Sequence, residues 1–190
     1  MQEQELLQNI KSASPSAFRD LFESYNRMVF NICYRMTGNR QEGEDLTQEV
    51  FLNVYKSISH FRSESKLSTW LYRITINHCL NHQSRKKRQR WLSLDFISDS
   101  ETEQNPFYSD HANNRPDAVL EQKETKLIIQ NSINSLPRQQ RIAIILHRYE
   151  GLTYQEIANV MQCSVASVES RIFRAKQHLY HKLRPYLKHL

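Results

Sequence analysis

Apolar residues in this chain return every three or four positions in segment after segment, and very little breaks the period. Phe18, Leu21, Phe22, Tyr25, Met28, Val29, Ile32, Cys33 and Met36 trace one broad face, as in a helix with one side in a core. Only 3 glycines and 5 prolines interrupt 190 residues. The expectation is an all-α chain. Hydrophobic residues make up 39%, enough for modest cores and too many for a disordered polymer. At this length they fill one domain or two small ones. No apolar run approaches the ~20 residues of a membrane-spanning helix, and the N-terminus is too acidic for a signal peptide. Cys33, Cys79 and Cys163 are far apart and odd in number, which fits reduced thiols in a cytoplasmic protein.

Charge divides the chain. Residues 1–59 carry 6 basic and 8 acidic groups, 60–90 carry 8 and 1, 91–125 carry 2 and 8, and 126–190 carry 10 and 3. Two basic blocks separated by an acidic segment predict two nucleic-acid contacts joined by a tether. Trp91 to Asp117 is rich in Ser, Asp, Asn and Pro and has no helical period, so it reads as an interdomain linker. Two small helical domains joined by a flexible acidic linker are therefore expected, with the boundary near Arg115-Pro116.

The helices have punctuation. A short leading helix is expected over Glu3–Lys11. Ser14-Pro15 opens the next and Thr37-Gly38 closes it. Asn39 caps a helix from Arg40 to Ser57, with Leu46, Val50, Phe51 and Val54 inward and Asp45, Gln48, Glu49 and Asn53 on other faces. Ser68 is the expected N-cap of a helix that runs through Trp70 into the basic block at Arg85–Arg90. Trp70, Arg73, Asn77 and Asn81 fall on one stripe of it, beside a second stripe of Leu71, Ile74 and His78. A ring, a cation and two amides on one face suit unpaired nucleic acid, through stacking, phosphate contact and base-edge readout. A Trp70 packed into a core beside a solvated basic face satisfies the same pattern.

The last third carries the sharpest local signal. A helix over Asp117 or Ala118 to Asn134 turns Leu120, Leu127, Ile128 and Ile133 inward. Leu136-Pro137 starts another, with Ile142, Ile144, Ile145 and Leu146. Thr153 and Glu156 stand in capping-box spacing ahead of Ile157, Ala158 and Val160. Gln162-Cys163 makes a tight turn, and Ser164 caps a longer basic helix with Val165, Val168, Ile172, Ala175 and Leu179 inward. Short helix, few-residue turn and longer helix form a helix-turn-helix pattern. Its second helix offers Ser167, Glu169, Ser170, Arg171, Phe173, Arg174 and Lys176 to a DNA major groove.

Three segments, DLTQEVFLNVY (Asp45–Tyr55), FRSESKLSTWLYRITIN (Phe61–Asn77) and GLTYQEIANVMQCSVASVESRIFRA (Gly151–Ala175), together resemble the extracytoplasmic-function (ECF) group of bacterial sigma factors. The resemblance spans nearly the whole chain, in order and with a variable linker between. It implies a region-2 domain at 1–92, a linker at 93–116 and a region-4 domain at 117–190. It implies binding to core RNA polymerase, with Asp45, Gln48, Glu49 and Phe51 docking on the clamp helices of the largest subunit. It further implies that Phe61, Arg62, Ser65 and Lys66 shape a pocket for a base flipped from the −10 element. Trp70, Arg73 and Asn77 would support or contact that strand, and the helix-turn-helix would read the −35 element. Members are often held by an anti-sigma factor, frequently membrane-anchored, so such a partner is expected beside polymerase and promoter DNA. Two positions depart from the commoner pattern: Asn81 replaces a usual aspartate, and Glu169 replaces a frequent arginine or lysine.

Two other classes compete. A one-component regulator would use the same helix-turn-helix on duplex DNA, usually as a dimer, and would leave the single-strand stripe and the acidic helix without a role. An enzyme on nucleic acid would need a metal or phosphate site. His78, Cys79 and His82 lie in a basic helix without CxxC spacing, Glu42, Glu44, Asp45 and Glu49 read as a solvated acidic face, and no phosphate-cradling glycine loop is present. Neither catalytic residues, a metal, a cofactor nor a small-molecule substrate is expected.

Overall fold

The computed structural model describes residues 15–61, 65–94 and 116–186. Seven α-helices occupy them: α1 (Pro15–Thr37), α2 (Arg40–Ser57), α3 (Leu67–Leu94), α4 (Pro116–Asn134), α5 (Arg138–Arg148), α6 (Tyr154–Met161) and α7 (Val165–Leu183). A 3₁₀ turn, Ile58–His60, follows α2. The described residues contain no strand. The leading helix expected at Glu3–Lys11 and most of the expected linker lie outside the described residues.

α1, α2 and α3 form the first unit. Its core joins Leu21, Val29, Ile32 and Met36 of α1 to Leu46, Val50 and Val54 of α2 and to Leu67, Leu71 and Cys79 of α3. Cys33 and Cys79, both fully buried, bring their sulfurs to 3.8 Å across this core. α1 and α2 approach closely because Gly43 has no side chain: a Cβ there would stand 3.0 Å from the Tyr34 Cα. The turn between them needs Gly38, whose φ of +75° is left-handed and easily reached only without a Cβ. Asn39 caps α2 as expected, its side chain accepting from the Glu42 N–H at 3.1 Å.

Two expectations are corrected here. The cap of α3 is not Ser68, because the helix begins at Leu67 and the Trp70 N–H already donates to the Lys66 carbonyl at 3.2 Å. Ser68 therefore lies inside the first turn. At the other end, Trp91–Leu94 is helical rather than linker. The alanine-free, basic run from Arg85 simply continues the helix, since nothing before Leu94 breaks it.

α4 to α7 form the second unit around Ile133, Leu136, Ile142–Leu146, Ile157, Val168, Ile172 and Ala175. Thr153 and Glu156 make a complete capping box on α6. Gln162 takes φ +52° at its C-terminal end, and Ser164 caps α7 by accepting from the Ser167 N–H. Capping box, left-handed turn and cap fix the angle at which α7 leaves α6.

The two units touch. The last carbonyls of α1, which have no partner within their own helix, are met from the second unit. Gln130 Nε2 donates to the Arg35 carbonyl at 3.1 Å and Arg141 Nη1 to the Met36 carbonyl at 3.4 Å. The Arg35 guanidinium in turn lies 3.4 Å from the centre of the Tyr149 ring.

Candidate nucleic-acid interface

The stripe on α3 divides on folding. Asn77 and Asn81 are exposed, and the run from Ser84 to Gln89 continues the same open, basic surface. Trp70 is half-buried, its ring 5.1 Å from that of Phe61, which is itself buried in the core. Phe61 therefore props Trp70 from below. Ser65 is half-buried, Lys66 exposed, and Arg62 lies outside the described residues. Arg73 is engaged, donating from Nε (3.2 Å) and Nη2 (2.7 Å) to the backbone carbonyl of Asn159 on α6. The second stripe faces inward only at Leu71; the buried line of α3 runs Leu67, Leu71, Thr75 and Cys79, while Ile74 and His78 are half-buried.

The open face of α2 carries Asp45, Gln48, Glu49, Leu52, Tyr55 and Lys56. Leu52 and Tyr55 are 61% and 63% exposed. Sequence reasoning missed both, although they follow Gln48 and Glu49 at helical spacing. Phe51, expected on this face, is instead 4% exposed, with its ring 4.7 Å from that of Phe22. It shapes the face from behind. Tyr55 stands edge-on to Phe18 at 5.1 Å, so the helix presents an acidic end and an apolar, aromatic end.

α2 and α3 are joined by polar contacts that also fix the histidines. His82 Nε2 is 3.1 Å and Lys86 Nζ 2.5 Å from the Glu42 carboxylate. Partial burial pushes the Glu42 carboxyl up, but the hydrogen bonds and charges of Lys86 and His82 outweigh it and hold the group below its ordinary range. His78 sits 2.9 Å from the Asn53 amide and 3.9 Å from Glu49. Burial lowers its pKa, Glu49 raises it and Arg85 lowers it, for a net fall. His78, Cys79 and His82 thus point to three different partners, and the described residues contain no cluster of three or more metal-ligating side chains.

On α7, Glu169, Ser170, Phe173, Arg174 and Lys176 are exposed, Phe173 at 63%. Ser167 is half-buried beside its cap. Arg171 folds back, its Nη1 3.2 Å from Cys163 Sγ, and so braces the turn. The outer face thus keeps a carboxylate, a hydroxyl, a ring and two cations at groove-reading spacing.

Residues 21–89 match the family model for sigma-70 region 2, and residues 126–179 match that for sigma-70 region 4. The sigma-H factor of Pseudomonas aeruginosa is 34% identical over 190 residues, covering 98% of this chain and 96% of that protein. The ECF sigma-E factor of Escherichia coli is 31% identical over 187 residues, covering 98% and 96%. The chain belongs to the ECF sigma factors.

As a sigma factor it directs promoter-specific transcription initiation. Two solved structures share its fold. RpoE of Bartonella quintana, bound to the anti-sigma factor NepR, aligns over 88% of this chain and 96% of its own at TM-score 0.63 and 21% identity. CnrH, bound to the cytosolic domain of CnrY, aligns over 96% and 97% at TM-score 0.67 and 20% identity. Among the described residues, no helix of this sigma factor is long and apolar enough to cross a membrane.

Proposed function

We propose that this sigma factor divides its work among three surfaces. Asp45, Gln48 and Glu49, extended by Leu52 and Tyr55, dock on the clamp helices of core RNA polymerase. Phe61, Arg62, Ser65 and Lys66 shape the −10 pocket, with Phe61 acting from beneath Trp70, while Arg73 and Asn77 hold the unpaired strand. Ser167, Glu169, Ser170, Phe173, Arg174 and Lys176 read the −35 duplex, with Arg171 setting the turn. The first functional domain ends with α3 at Leu94 and the second begins with α4 at Pro116, with the tether between them.

The observation that carries this reading is the pairing, in one chain, of an exposed amide stripe leading into a basic block on α3 with a capped helix-turn-helix whose outer face is open. Unstacking one base costs a few kcal/mol, which a prebuilt pocket offsets, and holding two weak contacts on one polymerase turns them into a single bipartite recognition. The chain carries no catalysis of its own; phosphoryl transfer belongs to the polymerase it recruits. It acts in the cytoplasm and is held in check by an anti-sigma protein, in keeping with the complex in which RpoE was solved with the anti-sigma factor NepR.

In vitro transcription with core polymerase on fragmented genomic DNA, with and without the protein, tests the reading. Discrete start sites that share −35 and −10 elements are expected. Sequence-specific duplex binding by the protein alone, without transcripts, would point instead to a one-component regulator.

A further inference from the structure

His78 connects the helix that carries the strand-reading stripe to the helix that carries the docking face. It follows Asn77 on α3 and is half-buried. The Asn53 amide nitrogen of α2 donates to its Nε2 at 2.9 Å, and its Nδ1 stands 3.9 Å from the Glu49 carboxylate. Glu49 and Asn53 are four residues apart on α2, so one turn of that helix presents both to the same ring.

The contact fixes the tautomer. An amide nitrogen only donates, so Nε2 accepts, and the single proton of the neutral ring sits on Nδ1, on the side of Glu49. At 3.9 Å that N–H is too far for a hydrogen bond. The Glu49 side chain, 51% exposed, keeps its charge open to solvent. A second proton changes both ends of the arrangement. It lands on Nε2, where it faces the Asn53 donor, and it gives the ring a charge that the Glu49 carboxylate is near enough to answer. The charged groups that act on His78 are Glu49 from α2 and Arg85 from α3 itself. Burial disfavours the protonated ring, Glu49 favours it and Arg85 disfavours it, so the ring charges only below the ordinary histidine range.

We propose that His78 is a positioning residue for polymerase docking, acting through Glu49. The neutral ring holds Asn53 and leaves the Glu49 carboxylate free for the polymerase. The protonated ring turns Asn53 away and draws Glu49 into an ion pair within the chain. The inference rests on the docking role proposed for α2, and it makes recruitment to polymerase weaker in acid. Partly exposed ion pairs are weak, so the expected effect is a loss of ~3-fold in core affinity as the ring charges.

The affinity of the full chain for core polymerase, measured from pH ~7.5 to ~5.5, tests this in the wild type, His78→Gln and Glu49→Gln. The glutamine amide oxygen of His78→Gln can still accept from Asn53 but cannot become charged. Titrations that belong to the polymerase appear in all three proteins and cancel in their ratios. The affinity of His78→Gln relative to wild type should rise ~3-fold from the upper to the lower end. Glu49→Gln should bind more weakly than wild type at the upper end and lack the additional acid loss. Imidazole nuclear magnetic resonance of the free chain should show the proton on Nδ1 at neutral pH, and a lower His78 pKa in Glu49→Gln. Wild type and His78→Gln that weaken in parallel, while Glu49→Gln binds poorly, overturn the inference and leave the docking role standing. Glu49→Gln that binds as tightly as wild type removes Glu49 from docking and overturns both. A neutral ring protonated on Nε2 also overturns the inference. If His78→Gln does not fold, the profiles of wild type and Glu49→Gln decide, and parallel ones overturn it.

Discussion

Glu169 is the residue whose chemistry is most exposed to test. It stands open on the outer face of α7 beside Ser170 and Phe173, where a carboxylate can accept from a cytosine amino group but repels phosphate. Glu169→Arg is expected to change the preferred −35 sequence, read in a promoter-library assay, and not merely to tighten binding to the original one. Gly43 makes a different kind of claim. Alanine in a helix interior ordinarily gains about 1 kcal/mol over glycine, yet here its Cβ would meet Tyr34 backbone atoms at 3.0 and 3.1 Å. Backbone cannot swing aside as a flexible side chain can, and overpacking costs ~1–3 kcal/mol. Gly43→Ala should therefore lower stability by ~1 kcal/mol net in chemical denaturation; a gain would show that α1 and α2 separate without strain.

Between elements, the ladder of Glu42 with His82 and Lys86 ties the start of α2 to the middle of α3. Its carboxyl is held below the ordinary range in the folded state, so its contribution is complete above the unfolded pKa. That contribution is lost as pH falls through the lowered one. His78, also lowered, has the same sign: protonating it in place is disfavoured, and its share begins to fade already below the ordinary histidine range. Acid should thus loosen α2 from α3, seen as a midpoint of thermal unfolding that falls first below the ordinary histidine range, through His78, and further below the ordinary carboxylate range, through Glu42. Lys86 is well exposed, so solvent screening keeps that pair to a fraction of ~1 kcal/mol, and Glu42→Gln should flatten only the more acidic limb, leaving the histidine limb unchanged. The elements themselves were legible at this scale. Asn39, the Thr153–Glu156 box and Ser164 all announce helix starts by contacts within four residues. Ser68 misled because serine two positions inside a helix looks, in sequence, like serine at its cap.

For the whole molecule, Glu150 sets a pH response of the seam where the two units meet. Burial in the seam pushes its carboxyl up, against the lowering effects of Arg35 and of the Tyr72 hydrogen bond. A pKa raised in the closed state means that the group favours closure below its open-state pKa, and that this support is lost as pH rises through the closed-state value. The distance between spin labels at the exposed positions Arg27 and Gln139, one on each unit, should therefore lengthen from mildly acidic to neutral pH in the wild type. Glu150→Gln, neutral throughout, should stay closed and pH-independent over that window; an identical pH response in the variant would remove Glu150 from the seam's balance.

Sequence by itself determined the helical class, the boundaries of most helices, the helix-turn-helix and the family, because these rest on periodicity, caps and motif order that a chain writes locally. It placed Phe51 on both an apolar stripe and a docking face, and only packing against Phe22 decided between them. The seam was invisible beforehand for a plain reason. Arg73, Gln130 and Arg141 bond to the carbonyls of Asn159, Arg35 and Met36, and every residue has a carbonyl. No side-chain pattern marks such an acceptor, so only the tertiary structure, by bringing α6 onto α3 and α4 onto the end of α1, could choose which backbone groups those donors meet.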